Sequence, residues 1–183
     1  MELRTLISAL DTPQVVGVDQ LEIGQIVSDS RRVVPGSLFV AVRGVAVDGH
    51  QYIASAIEKG AVAIVCEEYP KELVDKATFV VVKDSAYALG MLLSKSYGDP
   101  SQKLKLVGVT GTNGKTTIAT VLYELFRRLG YKVGLLSTVC NYIDGEAIPT
   151  DHTTPDPITL HALIARMVEA GCTYAFMEVS SHS

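Results

Sequence analysis

Apolar positions along this chain fall into two kinds of stretch that take turns. Short unbroken runs read as buried strands: Ser37–Val42, Ala61–Cys66 and Thr78–Val82 in the first half. They lack the polar alternation of a sheet that faces water on one side. Helical spacing appears between them. Tyr52–Lys59 predicts a short helix that Gly60 stops. Asp84 is placed to cap a second helix, with Tyr87, Leu89, Met91, Leu92 and Leu93 as its packing side. That helix ends near the breaker cluster Gly98-Asp99-Pro100, which places a domain boundary there, between residues 1–98 and 99–183.

The second half repeats the alternation. Lys103–Thr110, with the core Leu106-Val107-Gly108-Val109, predicts a buried parallel strand. A glycine-rich turn follows, then a helix in which Ile118, Val121, Leu122, Leu125, Phe126 and Leu129 recur at three- and four-residue spacing until Gly130. Lys132–Thr138 predicts the next strand, Asp144-Gly145 a turn, and Asp156-Pro157 the cap and first residue of a helix carrying Leu160, Leu163, Ile164, Met167 and Val168. Tyr174–Val179 predicts a third strand. Strands and helices in this order imply an α/β fold with a parallel sheet and right-handed crossovers. A three-stranded nucleotide sheet is thin, so the chain is expected to be the front part of a longer protein.

Composition narrows the partners. A net charge of −4 over 183 residues speaks against a nucleic-acid or anionic-membrane partner. The three cysteines Cys66, Cys140 and Cys172 are widely spaced, and fit neither a disulfide framework nor a zinc site. They read as core thiols. Neither a signal peptide nor a membrane span of about 20 apolar residues is evident, so a cytoplasmic location and a monomeric state are the expectations.

The chemistry concentrates at Gly111-Thr112-Asn113-Gly114-Lys115-Thr116-Thr117. Phosphate binding needs converging backbone N–H groups, a helix N-terminus and a flexible cation. Gly111 and Gly114 permit the turns, Lys115 supplies the cation for the outer phosphates, and Thr116 offers a hydroxyl to Mg²⁺. The strict P-loop pattern wants glycine where Val109 stands. An ordinary glycine turn is the plain alternative, but Gly-Lys-Thr at the turn itself favours ATP phosphates. Glu178, at the end of an apolar strand, is placed to hold Mg²⁺; a solvated strand-end acid is the alternative. Thr153 and Thr154 before a helix N-terminus suit a second polar ligand, though a capping loop explains them equally well. Asp29-Ser30-Arg31 taken alone reads more simply as a turn than as a phosphate or uracil site. His50, His152 and His161 have no decisive spacing, and a surface role accounts for His182.

Taken together, these motifs resemble the Mur ligase family, and most closely its members that add the third residue of the peptidoglycan stem peptide. The resemblance rests on Asp29-Ser30-Arg31 with Pro35-Gly36-Ser37-Leu38-Phe39-Val40-Ala41, on Asp48-Gly49-His50 with Tyr52, on Gly108–Thr117, on Thr153-Thr154-Pro155-Asp156 and on Glu178-Val179-Ser180-Ser181-His182. It implies a small N-terminal α/β domain that binds a UDP-substrate, followed by a truncated P-loop parallel-sheet domain that binds ATP. Ser28, Ser30, Val45, Ala46 and Val47 are implied to hold the uridine end. Gly111 to Thr117 are implied to hold ATP, with Lys115 catalytic; Thr153, Thr154 and Ser180 to touch the muramoyl-dipeptide; and Thr116 and Glu178 to hold Mg²⁺. The implied reaction is ATP-dependent amide ligation of UDP-MurNAc-L-Ala-D-Glu with a diamino acid, through an acyl phosphate. The family's carbamylated lysine and C-terminal domain have no counterpart in these 183 residues, so the chain alone is expected to be inactive. Another ligase of the superfamily, such as a folylpolyglutamate synthetase, and a non-catalytic nucleotide-binding module are the competing readings. The Asp-Ser-Arg region opposes the former, and the lack of an Asn-Lys-x-Asp guanine reader opposes a switch GTPase.

Overall fold

Unbroken apolar runs form the middle of a sheet because both of its faces are covered. In the computed structural model, which describes residues 1–44, 47–148 and 156–179, the chain divides into two compact units, Met1–Ser96 and Tyr97–Ser183. The first unit contains strands β1 (Gln14–Val16), β2 (Gln25–Val27), β3 (Ser37–Val40), β4 (Ala61–Cys66) and β5 (Thr78–Val81). Their order is β1-β5-β4-β3-β2, and β2 to β5 are parallel while β1 runs against β5. Every residue of β3 is buried. Phe39, Ala41, Ile64, Cys66 and Phe79 pack with Ile53 and Ala56 of helix α2 (Ile53–Glu58). The other face is served by α1 (Leu3–Ile7) and α3 (Ser85–Ser96), which pack on each other. Burial pushes the Cys66 thiol up to about 12, with Glu67 adding to the effect, so this thiol is an inert core group.

Asp84 caps α3 as expected, its Oδ1 accepting the Tyr87 N–H at 2.8 Å. Two members of the predicted packing side differ. Tyr87 is exposed and Met91 only partly buried, and the buried side is Ser85, Ala88, Leu89, Leu92 and Leu93. The small residues Ser85 and Ala88 let the helix approach the sheet more closely than a tyrosine permits.

The second unit contains β6 (Lys105–Val109), α4 (Lys115–Arg128), β7 (Val133–Leu136), β8 (Asn141–Ile143), β9 (Glu146–Ile148), α5 (Pro157–Glu169) and β10 (Tyr174–Glu178). The sheet order is β6-β10-β7-β8-β9. The three predicted strands are its parallel part, with β10 between β6 and β7. The predicted turn at Asp144-Gly145 joins an antiparallel hairpin, β8 to β9, that widens the sheet to five strands. Both turn residues have positive φ, 47° and 95°, which matches the twist of a two-residue hairpin. Gly134 on β7 is needed for close approach: a Cβ there would overlap the Met167 thioether of α5.

Two burial expectations change. β6 is parallel but lies at the sheet edge, so Lys105, Val107 and Gly108 are exposed and only Val109 is fully buried. On α4 the apolar residues form two stripes. Ala119 and Tyr123 are buried with Leu122 and Phe126 against them, whereas Ile118, Val121, Leu125 and Leu129 are exposed. Helical periodicity identifies an apolar side, but the sheet selects which 100° of the helix it covers. None of the described helices is long and apolar enough to cross a membrane.

Candidate functional site

β6 ends at Val109 and α4 begins at Lys115, so the glycine-rich segment is a turn that changes strand into helix. Gly111 has φ 145° and Gly114 has φ 79°. The second value is left-handed, where a Cβ is costly, and Gly114 serves as the N-cap of α4 with its carbonyl accepting the Ile118 N–H at 2.9 Å. The turn is exposed. The Lys115 ammonium folds back over it and donates to the Gly111 carbonyl at 2.7 Å. A helix of 14 residues therefore presents its first-turn N–H groups, which have no intrahelical acceptor, beside one cation and two threonine hydroxyls. That arrangement attracts a multiply charged anion.

β10 carries the matching carboxylate. The parallel register sets Glu178 opposite Val109, the last strand residue before the turn. Glu178 Oε2 accepts three hydrogen bonds: from the Thr116 hydroxyl at 3.0 Å, the Thr138 hydroxyl at 3.1 Å and the Thr138 N–H at 3.2 Å. Burial pushes this carboxyl up, but the hydrogen bonds from Thr138 and Thr116 and the Lys115 charge outweigh it, and the net pKa lies below the ordinary value. An ionised carboxylate beside a threonine hydroxyl is an oxygen donor set that fits Mg²⁺, which takes few protein ligands and completes its shell with water and phosphate oxygens. Thr138, just past β7, escaped the sequence reading. Its signal was there: it is a polar residue ending an apolar strand that neighbours the carboxylate strand.

The remaining candidates divide by position. Ser28 follows β2, and Ser30 lies in a short 3-10 turn, Ser30–Arg32, that Asp29 caps by accepting the Arg31 N–H at 2.9 Å. The Arg31 guanidinium, exposed to solvent, is forked onto Asp29 through Nε and Nη2 at 2.7–3.1 Å. Val47 is exposed. Val45, Ala46, Thr153, Thr154 and Ser180 lie outside the described residues. Asp156 caps α5 through the N–H groups of Ile158 and Thr159. The expected core thiols are buried at Cys66 and Cys172, while Cys140 is only partly buried.

Comparisons with known proteins agree in placing both units. A profile described as Mur ligase family, catalytic domain, matches residues 22–97, and one described as Mur ligase middle domain matches residues 109–183. A protein of Parabacteroides distasonis named UDP-N-acetylmuramoyl-L-alanyl-D-glutamate–2,6-diaminopimelate ligase is 75% identical over the whole chain, and the chain spans 38% of that relative's length. A solved structure of a ligase with the same name has the same fold over all of this chain and 37% of its own, with TM-score 0.75 at 24% identity. The MurF ligase of Thermotoga maritima, solved in complex with ADP, shares the fold over 91% of this chain and 34% of its own, with TM-score 0.52 at 24% identity. One profile falls on each sheet, and the relative aligns with the chain from end to end: the chain belongs to the Mur ligase family, of which it carries the N-terminal and middle domains.

Proposed function

We propose that this chain supplies the UDP-substrate-binding and ATP-binding parts of a cytoplasmic, ATP-dependent ligase of peptidoglycan synthesis. The full-length enzyme joins a diamino acid to the D-glutamate carboxylate of UDP-MurNAc-L-Ala-D-Glu. The names of the relatives support 2,6-diaminopimelate as that amino acid. The single observation that carries the reading is the convergence of Thr116 and Thr138 on Glu178 beside the helix N-terminus of α4.

Residues 111–117 hold the triphosphate in this proposal, with Lys115 on its outer phosphates. The substrate carboxylate attacks the γ-phosphorus, ADP leaves, and the resulting acyl phosphate is open to the incoming amine, which releases phosphate. Two anions must meet in the first step. The loop amides and the Lys115 ammonium spread that charge, and no side-chain nucleophile is needed. Thr116 and Glu178 would hold Mg²⁺, which supplies further neutralisation when bound. Ser28, Ser30, Val45, Ala46 and Val47 take the uridine end. Thr153, Thr154 and Ser180 touch the muramoyl-dipeptide.

The 183-residue chain by itself is proposed to bind ATP and UDP without ligase turnover. Calorimetric titration with MgATP and with UDP, alongside an assay of phosphate release in the presence of all substrates, tests this. Binding of both nucleotides without turnover is the expected result. Failure to bind MgATP defeats the ATP-site assignment, and normal turnover defeats the proposal that the chain alone is inactive.

A further inference from the structure

Four parallel strands deliver their C-terminal ends to one edge of the first sheet, and three of those ends are tied together by polar side chains. Ser85, fully buried at the start of α3, donates from its hydroxyl and its N–H to Glu67 Oε1 at 2.8 and 3.1 Å. The Ser85 hydroxyl in turn accepts the Arg43 N–H at 3.0 Å. Glu67, just past β4, donates its N–H to His50 Nε2 at 2.9 Å. His50 therefore carries its proton on Nδ1, which faces Asp48 Oδ1 at 2.6 Å. The Arg43 guanidinium reaches Glu67 at 3.1 Å, Glu68 at 3.6 Å and Asp48 at 3.7 Å.

This network holds the residues on both sides of positions 45–46. Arg43 and Asp48 pair as an isolated bridge, Gly44 donates to the Val47 carbonyl at 3.1 Å, and Gly49 donates to the Val42 carbonyl at 2.8 Å. Both flanking residues are thus anchored, Arg43 to α3 and Asp48, through His50, to the end of β4. Such an arrangement is costly to leave half-made. The Glu67 side chain is 18% exposed, and removing one partner strands a largely desolvated carboxylate.

We propose that Arg43, His50, Glu67 and Ser85 are positioning residues for uridine binding by the first unit, and that Arg43 acts as a structural cation and not as a ligand of the diphosphate. The proposal rests on the reading of this unit as a UDP-substrate domain. Its basis is the geometry: the network fixes Arg43 and Asp48, which flank Gly44 and Val47, on the same sheet edge as Ser28. The Arg43 guanidinium is already shared among three carboxylates. A lysine cannot fork in this way.

The test titrates the 183-residue chain and its variants Arg43→Lys, Ser85→Ala and His50→Asn with uridine, UDP and MgATP, with circular dichroism as the folding check. Uridine and UDP affinities are expected to fall by the same factor, about tenfold, as is usual when a buried polar contact is lost, with MgATP affinity unchanged. His50→Gln keeps an acceptor for the Glu67 N–H and is expected to retain most of the affinity that His50→Asn loses. A loss at Arg43→Lys confined to UDP would make Arg43 a phosphate ligand and overturn the proposal. So would unchanged uridine affinity in the folded variants. If the unsubstituted chain binds neither uridine nor UDP, the reading of the first unit fails and the proposal falls with it.

Discussion

The two units organise the C-terminal edges of their parallel strands by different means. In the first, the strand ends are held by side chains: a carboxylate, a serine, a histidine and a guanidinium tie three connections together. In the second, backbone conformation does most of the work. Two positive-φ glycines and a helix N-terminus shape the turn, and one carboxylate with two threonines braces it from the neighbouring strands. Under the proposed function the difference has a physical reason: a neutral, shaped ligand such as a uracil ring demands fixed side chains, whereas a polyphosphate is met by peptide dipoles that any sequence possesses, provided that glycine permits the turn.

The comparison breaks most visibly under overpacking. Gly134→Ala pushes a methyl group into Met167, and is expected to destabilise the second unit by about 3 kcal/mol. Hydrogen exchange should show β7 and β10 amides losing protection while β3 and β4 keep theirs. Equal losses in both sheets would show that the units do not respond separately. Next in size is Lys115→Ala. Loss of a charge-assisted contact costs about 2 kcal/mol, or about thirtyfold in MgATP affinity by calorimetry, with UDP binding untouched.

Thr138→Val removes one of the three hydrogen bonds on Glu178 Oε2. MgATP affinity is expected to fall about fivefold, near 1 kcal/mol, and the Glu178 carboxyl should titrate at higher pH by carbon NMR. The sign follows from the depressed pKa. Above the ordinary carboxylate range the ionised group contributes its full stabilisation, and this is lost as pH falls through the lowered folded value. In Thr138→Val the loss should be smaller and should be complete at higher pH. An unmoved titration would deny that Thr138 supports the charge.

The smallest effect belongs to the exposed fork in the first unit. Hydrogen bonds from the Arg31 side chain and N–H, with its charge and that of Arg32 adding to them, hold the Asp29 carboxyl at about 2. Arg31→Ala should move that titration toward the ordinary carboxylate range with no measurable change in melting temperature, since exposed pairs contribute little. Asp29 stays ionised, and its cap intact, until pH falls through about 2. A large stability loss in this variant would assign the arginine a structural weight like that of Arg43.

Legibility followed the range of the interactions. The strands Ala61–Cys66 and Thr78–Val81, the Asp84 and Asp156 caps and the Asp144-Gly145 turn all depend on residues within a few positions, and each was readable. The tripartite hold on Glu178 was half-readable. Thr116 stands in the glycine-rich motif, but Thr138 belongs to the site only because β7 lies beside β10. His50, with no spacing to recommend it, turned out to be hydrogen-bonded at both ring nitrogens.

By itself the sequence determined the alternation of strand and helix, the glycine-rich turn between β6 and α4 and the family, because local propensity, glycine φ and a contiguous motif need no knowledge of distant residues. Only the tertiary structure decided that β10 lies between β6 and β7, that α4 packs on the sheet with Ala119 and Tyr123, and that Arg43 is occupied by carboxylates. Those outcomes depend on strand order and on groups brought together from far along the chain, and hydrophobic burial is indifferent to sequence position.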